Sequence, residues 1–241
     1  MNNSHSILSA SSILAELKPL GSDSYKRVLF NHGVSEPCLG VKIEELKKIQ
    51  KRVKKDYRLA LELYDSGVYD AMYLAGLIAD DAKMTKKDLQ RWAAKACRPL
   101  AGSTVAWVAA GSPHGRELAL EWIESDKELV AVAGWATLSC LVSIKDDADL
   151  NLPELKSLLQ RAQRRIHAAP DLVRYHMNGF VIAVGACVAS LTKEALRTGE
   201  AIGPVTADLG KSACQVPFAP DYIRKAERRG VIGKKRKTAK C

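Results

Sequence analysis

The sequence predicts an all-α protein in which helical hairpins stack side by side into a one-dimensional array. Three observations carry that expectation. In the string LALELYDSGVYDAMYLAGLIADD, Leu59 to Asp81, the residues Leu59 and Leu63, then Tyr69, Tyr73 and Leu77, fall at helical spacings, and Ser66-Gly67 breaks the pattern between them. Two helices joined so tightly form an antiparallel hairpin, and neither can bury its apolar stripe without a neighbour. Units of this kind recur at roughly 35 to 45 residues, within the range of helical arrays. Finally, no run of useful length alternates with the period of a strand.

The elements follow in order. Ser4 to Lys18 reads as a first helix ended by Pro19 and Gly21, and Ser22 or Asp23 caps a second through Asn31. After the connector HGVSEPCLGVK, Lys42 to Lys55 places Ile43, Leu46, Ile49 and Val53 on one side and Lys47, Lys48, Lys51, Lys54 and Lys55 on the others. The hairpin comes next. Thr85 then caps a helix to Ala96 carrying Leu89 and Trp92, which Arg98-Pro99 stops, and a short helix starts at Ser103. Gly111-Ser112-Pro113 breaks it, and helices over Arg116 to Ser125 and Lys127 to Ile144 follow. Past the acidic loop Asp146 to Asn151, Pro153 opens a helix to His167, Asp171 one that runs to Leu191, and Thr192 a last one to about Ala201.

A chain of 241 residues, 47% hydrophobic, can bury a substantial core as one domain, expected here over residues 1–223. No stretch reaches the roughly 18 to 20 uninterrupted apolar residues of a membrane span. The two most apolar, Leu129 to Ile144 and Met177 to Leu191, carry Thr137, Ser139, Gly179 and Ser190 and read as central helices. The opening MNNSHSILSASSILAELK lacks a positive region before its apolar residues, so no secretory signal is expected and a cytoplasmic location follows. Cysteines at 38, 97, 140, 187, 214 and 241 form no CxxC pair, and the five histidines form no HxxxH or HExxH pattern. With no GxxxxGKS, GxxxxGKT or GxGxxG either, no metal, nucleotide or other cofactor is expected.

Charge is concentrated at one end. From Arg224 to Cys241, nine basic residues against Glu227 hold +8 of the chain's net +10. This segment, with Lys234, Lys235, Arg236 and Lys237 in series, is expected to be a flexible basic tail suited to a polyanion, or else merely a solubilising one. Further candidates for phosphate contact are Lys47 and Lys51, the cluster Arg161, Arg164 and Arg165 at i, i+3, i+4, and Arg174, which with His176 and Asn178 opens an apolar helix. A solvated face and structural hydrogen bonding are the competing readings. Trp92, Trp107, Trp122 and Trp135 form either an aromatic wall or core, and Asp65 and Asp70 are either carboxylates of a site or helix caps.

Several of these motifs resemble one family. LALELYDSGVYDAMYLAGLIAD from Leu59, DLQRW ending at Trp92, AGWATLS from Ala133 and RYHMNGFVIAVGA from Arg174 are similar to the DNA alkylation repair proteins built on HEAT-like repeats, the AlkD-like DNA glycosylases. The likeness covers roughly Lys42 to Ala201, and the closing VPFAPDYIRKAERRGVIGKKRKT looks like a tail shared by one bacterial branch. The resemblance implies a HEAT-like solenoid, a basic face that holds double-stranded DNA through its phosphates, and excision of purines alkylated at N3 or N7. Such a base is already cationic and leaves without a general acid, so a carboxylate and aromatic faces suffice. On this resemblance the catalytic candidates are Asp70, Trp92, Trp107 and Trp135. The family's segment Trp-Asp-x-Val-Asp, however, matches GSTVAW here, with Gly102 at the first Trp position and Ala106 at the last Asp position; the family's arginine falls near Val132 or Ala133. The alternatives are a non-catalytic binder of DNA structures or a protein scaffold, and a monomer is favoured.

Overall fold

The computed structural model describes residues 8–211 and 214–240. Helices form where the sequence supplies both a cap and an apolar stripe. Ser9 accepts the Ser12 N–H and opens α1 (Ala10–Leu17); Ser22 caps α2 (Asp23–Asn31). The expected start of the first helix at Ser4 lies outside the described residues. Asp56 accepts the Leu59 N–H at 2.9 Å and opens α4 (Tyr57–Asp65), and Gly67, at φ 71°, supplies the left-handed turn into α5 (Tyr69–Ile78). Thr85 and Asp88 make a capping box for α6 (Lys86–Lys95).

The array has two layers. One row runs α3 (Ile43–Val53), α5, the stretch Ala101–Val105 that leads into α8 (Ala106–Gly111), α10 (Glu128–Ile144), α12 (Asp171–Cys187) and α14 (Ala219–Arg228), each packed on the next. Along the other side lie α1, α4, α6, α9 (Gly115–Trp122), α11 (Leu152–Arg165) and α13 (Thr192–Ile202). Residues 70–78 of α5 are all buried, as are Ala131 to Leu138 of α10, because both helices are covered by neighbours on every side. Among the described residues the extended backbone makes only an isolated bridge, Gly21 with Val41.

Two expectations change. Pro99 does not stop a helix: it sits in the first turn of α7 (Arg98–Leu100), where its missing N–H has no partner to lose. From there a π-helical stretch, Ala101–Val105, runs directly into α8. The expected flexible tail beyond residue 223 is also replaced. Residues 219–228 form α14, whose Ile223 is fully buried against α12, and Ala239 near the end of the chain is buried as well. The terminal segment 233–240 is a strap, held as described next.

Candidate nucleic-acid interface

The strap follows the C-terminal ends of the inner helices, where backbone carbonyls are left without intrahelical partners. The Gly233 N–H donates to Ala186 O of α12 at 2.9 Å and the Arg236 N–H to Ser143 O of α10 at 2.8 Å. Lys235 Nζ donates to Val142 O at 2.9 Å, and Lys240 Nζ to Ala79 O, just past α5, at 2.8 Å. Cations here also meet the negative ends of the helix dipoles. Two acids complete the anchors: Lys235 pairs with Asp147 and Lys240 with Asp81, each at 2.7 Å. Burial pushes the Asp81 carboxyl up, against the pull of Lys240, and pushes the Lys240 ammonium down, against the pull of Asp81.

Both acids occupy the same small motif, Ile-x-Asp-Asp-Ala. It reads Ile78-Ala79-Asp80-Asp81-Ala82 after α5 and Ile144-Lys145-Asp146-Asp147-Ala148 after α10. In each copy the second Asp opens a 3-10 turn, over Asp81–Lys83 and Asp147–Asp149. This repeat was the available sequence signal for the strap's docking sites, and reading for helical period alone misses it.

Between the strap and the end of α3 lies a groove of about 860 Å³. Lys51, Lys54 and Lys55 form one bank; Lys237 to Lys240 form the other; Lys145 stands beside Ile144, and Leu77, Trp107 and Ala110 lie in the lining. Six lysines thus face one acid, Asp81, which Lys240 already neutralises. Lys54 reaches its place through φ 62°, ψ −120°, a conformation that costs a non-glycine residue on the order of 1 kcal/mol and recurs at functional sites. Trp107 is 8% exposed and meets Tyr73 edge to face at 5.6 Å.

Of the predicted phosphate contacts, Lys51 and Lys237 line this groove, and Lys234 and Arg236 are exposed on the strap beside it. Lys235 is spent on anchoring, and Lys47 lies outside the lining. The arginine cluster borders a different cavity, of about 480 Å³, against the N-terminal half of α10 as far as Trp135, whereas the groove meets that helix only at its C-terminal end, at Ile144. There Arg161 is not free: it pairs with Glu124, donates to Ile123 O at 3.0 Å and lies over the Trp135 ring at 5.9 Å. Arg164 and Arg165 are exposed. Arg174 is consumed by Ala169 O and Thr206 O.

The catalytic candidates resolve mostly into structure. Asp70 is fully buried and accepts the N–H of Leu39 at 2.6 Å and of Val41 at 2.7 Å, pinning the connector before α3. Trp92 is fully buried and stacks on Tyr64, ring centroids 4.0 Å apart. Trp135 packs against Phe180 at 5.4 Å, Trp122 is buried, and Asp65 pairs with Lys95 and Arg91 on the surface. Ala106, Val132 and Ala133, at family site positions, are all fully buried. At Gly102, a Cβ would lie 2.6 Å from Nε2 of His176, so the imidazole fills the space that any side chain there would need. Burial against this backbone holds His176 neutral, its pKa lowered to about 4. Thr206 O and Pro217 O are tied to the same helix, α12, by Arg174 and by Asn178.

The model of the DNA alkylation repair enzyme family matches residues 13–207. The chain belongs to that family. Two relatives from bacteria, the uncharacterized proteins Lin0241 of Listeria innocua and Lmo0209 of Listeria monocytogenes, are each 33% identical over 220 residues, covering 89% of this chain and 95% of theirs. A solved structure superposes with a TM-score of 0.90 at 31% identity, over 97% of this chain and 100% of that one. It is described as one of a new family of proteins related to the HEAT-like repeat DNA glycosylases with affinity for branched DNA structures. The two-layer array is therefore the HEAT-like fold. In this DNA alkylation repair family member α14 and the strap lie beyond the match at 13–207, and the strap walls the groove. Among the described residues no group of three or more metal-ligating side chains converges, and no single helix is long and apolar enough to cross a membrane.

Proposed function

We propose that this family member binds DNA, branched DNA above all, through its phosphates along the lysine groove, and does so without excising a base. The observation that carries the reading is the charge of the groove: Lys51, Lys54, Lys55, Lys145 and Lys237 have no carboxylate within ion-pair distance among the described residues. Mutually repelling cations held on a fixed scaffold are relieved by a polyanion, and each phosphate neutralised releases a counterion. The affinity of the similar solved protein for branched DNA supports the choice of ligand. One copy of the chain completes the groove, so a monomer suffices, and a bacterial cytoplasm is where such DNA would be met.

The closed Gly102 and Ala106 positions argue against base excision there. A second reading, removal of cationic N3- or N7-alkylated purines, draws on Asp81 and Trp107 lining one groove, a carboxylate and an aromatic ring together. Two assays on the full chain separate the readings. Fluorescence anisotropy with a labelled four-way junction and a duplex of equal length tests binding; equal failure on both rejects the DNA reading. Incubation with methylated DNA tests excision, and release of 7-methylguanine or 3-methyladenine above a buffer control establishes the glycosylase.

A further inference from the structure

The groove has two banks of different origin and a floor between them. The first bank is the end of α3 with its left-handed Lys54; the second is the strap, fixed at both Ile-x-Asp-Asp-Ala turns and at three helix ends. Because Lys235 and Lys240 anchor it from below, Lys237 between them is exposed at the groove. A space of about 860 Å³ falls within the range of sites that enclose a small molecule. A double helix could only rest on its rim. A few nucleotides of one strand could enter it.

The lining suits one strand as well. Proteins that hold single strands combine a cationic groove that follows the backbone with an aromatic ring against which bases stack. Lysines on both banks supply the first, and Trp107, 8% exposed and braced by Tyr73, adds an aromatic contact to the lining. Resting on the DNA reading above, we propose that the strap groove is a subsite for the unpaired strand of branched DNA, its phosphates between Lys54 and Lys55 on one side and Lys237 on the other. The strap then acts as the specificity element: it turns an open basic edge into a slot that an unpaired strand enters and a duplex does not.

The test uses the full chain and two three-way junctions, one with flush paired arms and one carrying a short unpaired oligothymidine arm, each titrated by anisotropy. Phosphate contacts to Lys54, Lys55 and Lys237 are expected to tighten binding to the armed junction by about tenfold or more near 0.15 M salt. Lys55→Ala with Lys237→Ala, both at exposed positions, removes most of that preference and lowers the salt slope on the armed junction by about 0.7 per lysine. If the wild-type chain binds both junctions equally, the single-strand subsite is overturned while the DNA reading stands. If it binds neither, the DNA reading itself falls.

Discussion

Removing groove lysines should change the salt dependence of DNA binding by an amount set by their number. Five of them, Lys51, Lys54, Lys55, Lys145 and Lys237, are free of ion pairs among the described residues. If each neutralises one phosphate of the unpaired arm of an armed junction, the groove's share of the slope of log K against log salt is about −3.5, at about 0.7 per contact. Between 50 and 200 mM salt that share of the affinity falls by about 130-fold. With Lys51→Ala and Lys237→Ala together the share becomes about −2.1 and the same change of salt costs only about 20-fold. Anisotropy titrations at several salt concentrations give the slope directly. The control is Lys86→Ala with Lys95→Ala, two α6 lysines already paired with Glu117 and Asp65. The reasoning is refuted if the control flattens the slope as much as the groove pair does, because the cations would then act by net charge and not by position.

Four further outcomes follow from the geometry. His176 takes its proton near pH 4 when folded but near 6.5 when unfolded, so the unfolded chain binds more protons between those values; stability is full above pH 6.5 and falls by up to about 3 kcal/mol toward pH 4, as urea melts at several pH values would record. His176→Phe should flatten that interval. Asp70→Ala strands the N–H groups of Leu39 and Val41, a loss of about 2 to 6 kcal/mol at about 1 to 3 per stranded donor, read by the same melts. Lys54→Gly relieves φ 62° and raises stability by about 1 kcal/mol while weakening DNA binding, opposite signs that a merely structural lysine would not give. Asp81→Asn with Asp147→Asn unpairs both strap anchors, and limited trypsin digestion should then cut at Lys234 to Lys237 faster than in the wild-type chain.

How much of this was legible in the chain depends on whether the signal is local. The hairpin from Leu59 is stated by helical spacing, a cap at Asp56 and a glycine at 67, and it forms as read. Proline at the start of a helix and proline after its end look alike in sequence, so Pro99 reads as a stop; only the packing of the adjoining π turn on α5 and α10 decides. Asp70 illustrates the same limit in the site. Near a helix start a carboxylate predicts a cap, yet this one serves two amides some thirty residues earlier, a contact no local rule contains.

The basic C-terminus carries the largest difference and the clearest cause. Composition alone assigns a run of lysines to solvent, because isolated ammonium groups are costly to bury. That cost is met here by a property of the array and not of the run: inner helices end along one edge, exposing carbonyls at the negative ends of their dipoles, and two of them are followed by Ile-x-Asp-Asp-Ala. Lys235 and Lys240 meet those partners and are withdrawn from solvent, while Lys234, Arg236 and Lys237 stay exposed. A sequence read for charge sees one block of cations; the fold divides it into anchors and contacts. Because Lys240 cancels Asp81, the acid in the groove lining, the exposed cations keep their full field, and removing an anchor acid should therefore weaken DNA binding by releasing the strap even though it makes the chain more positive.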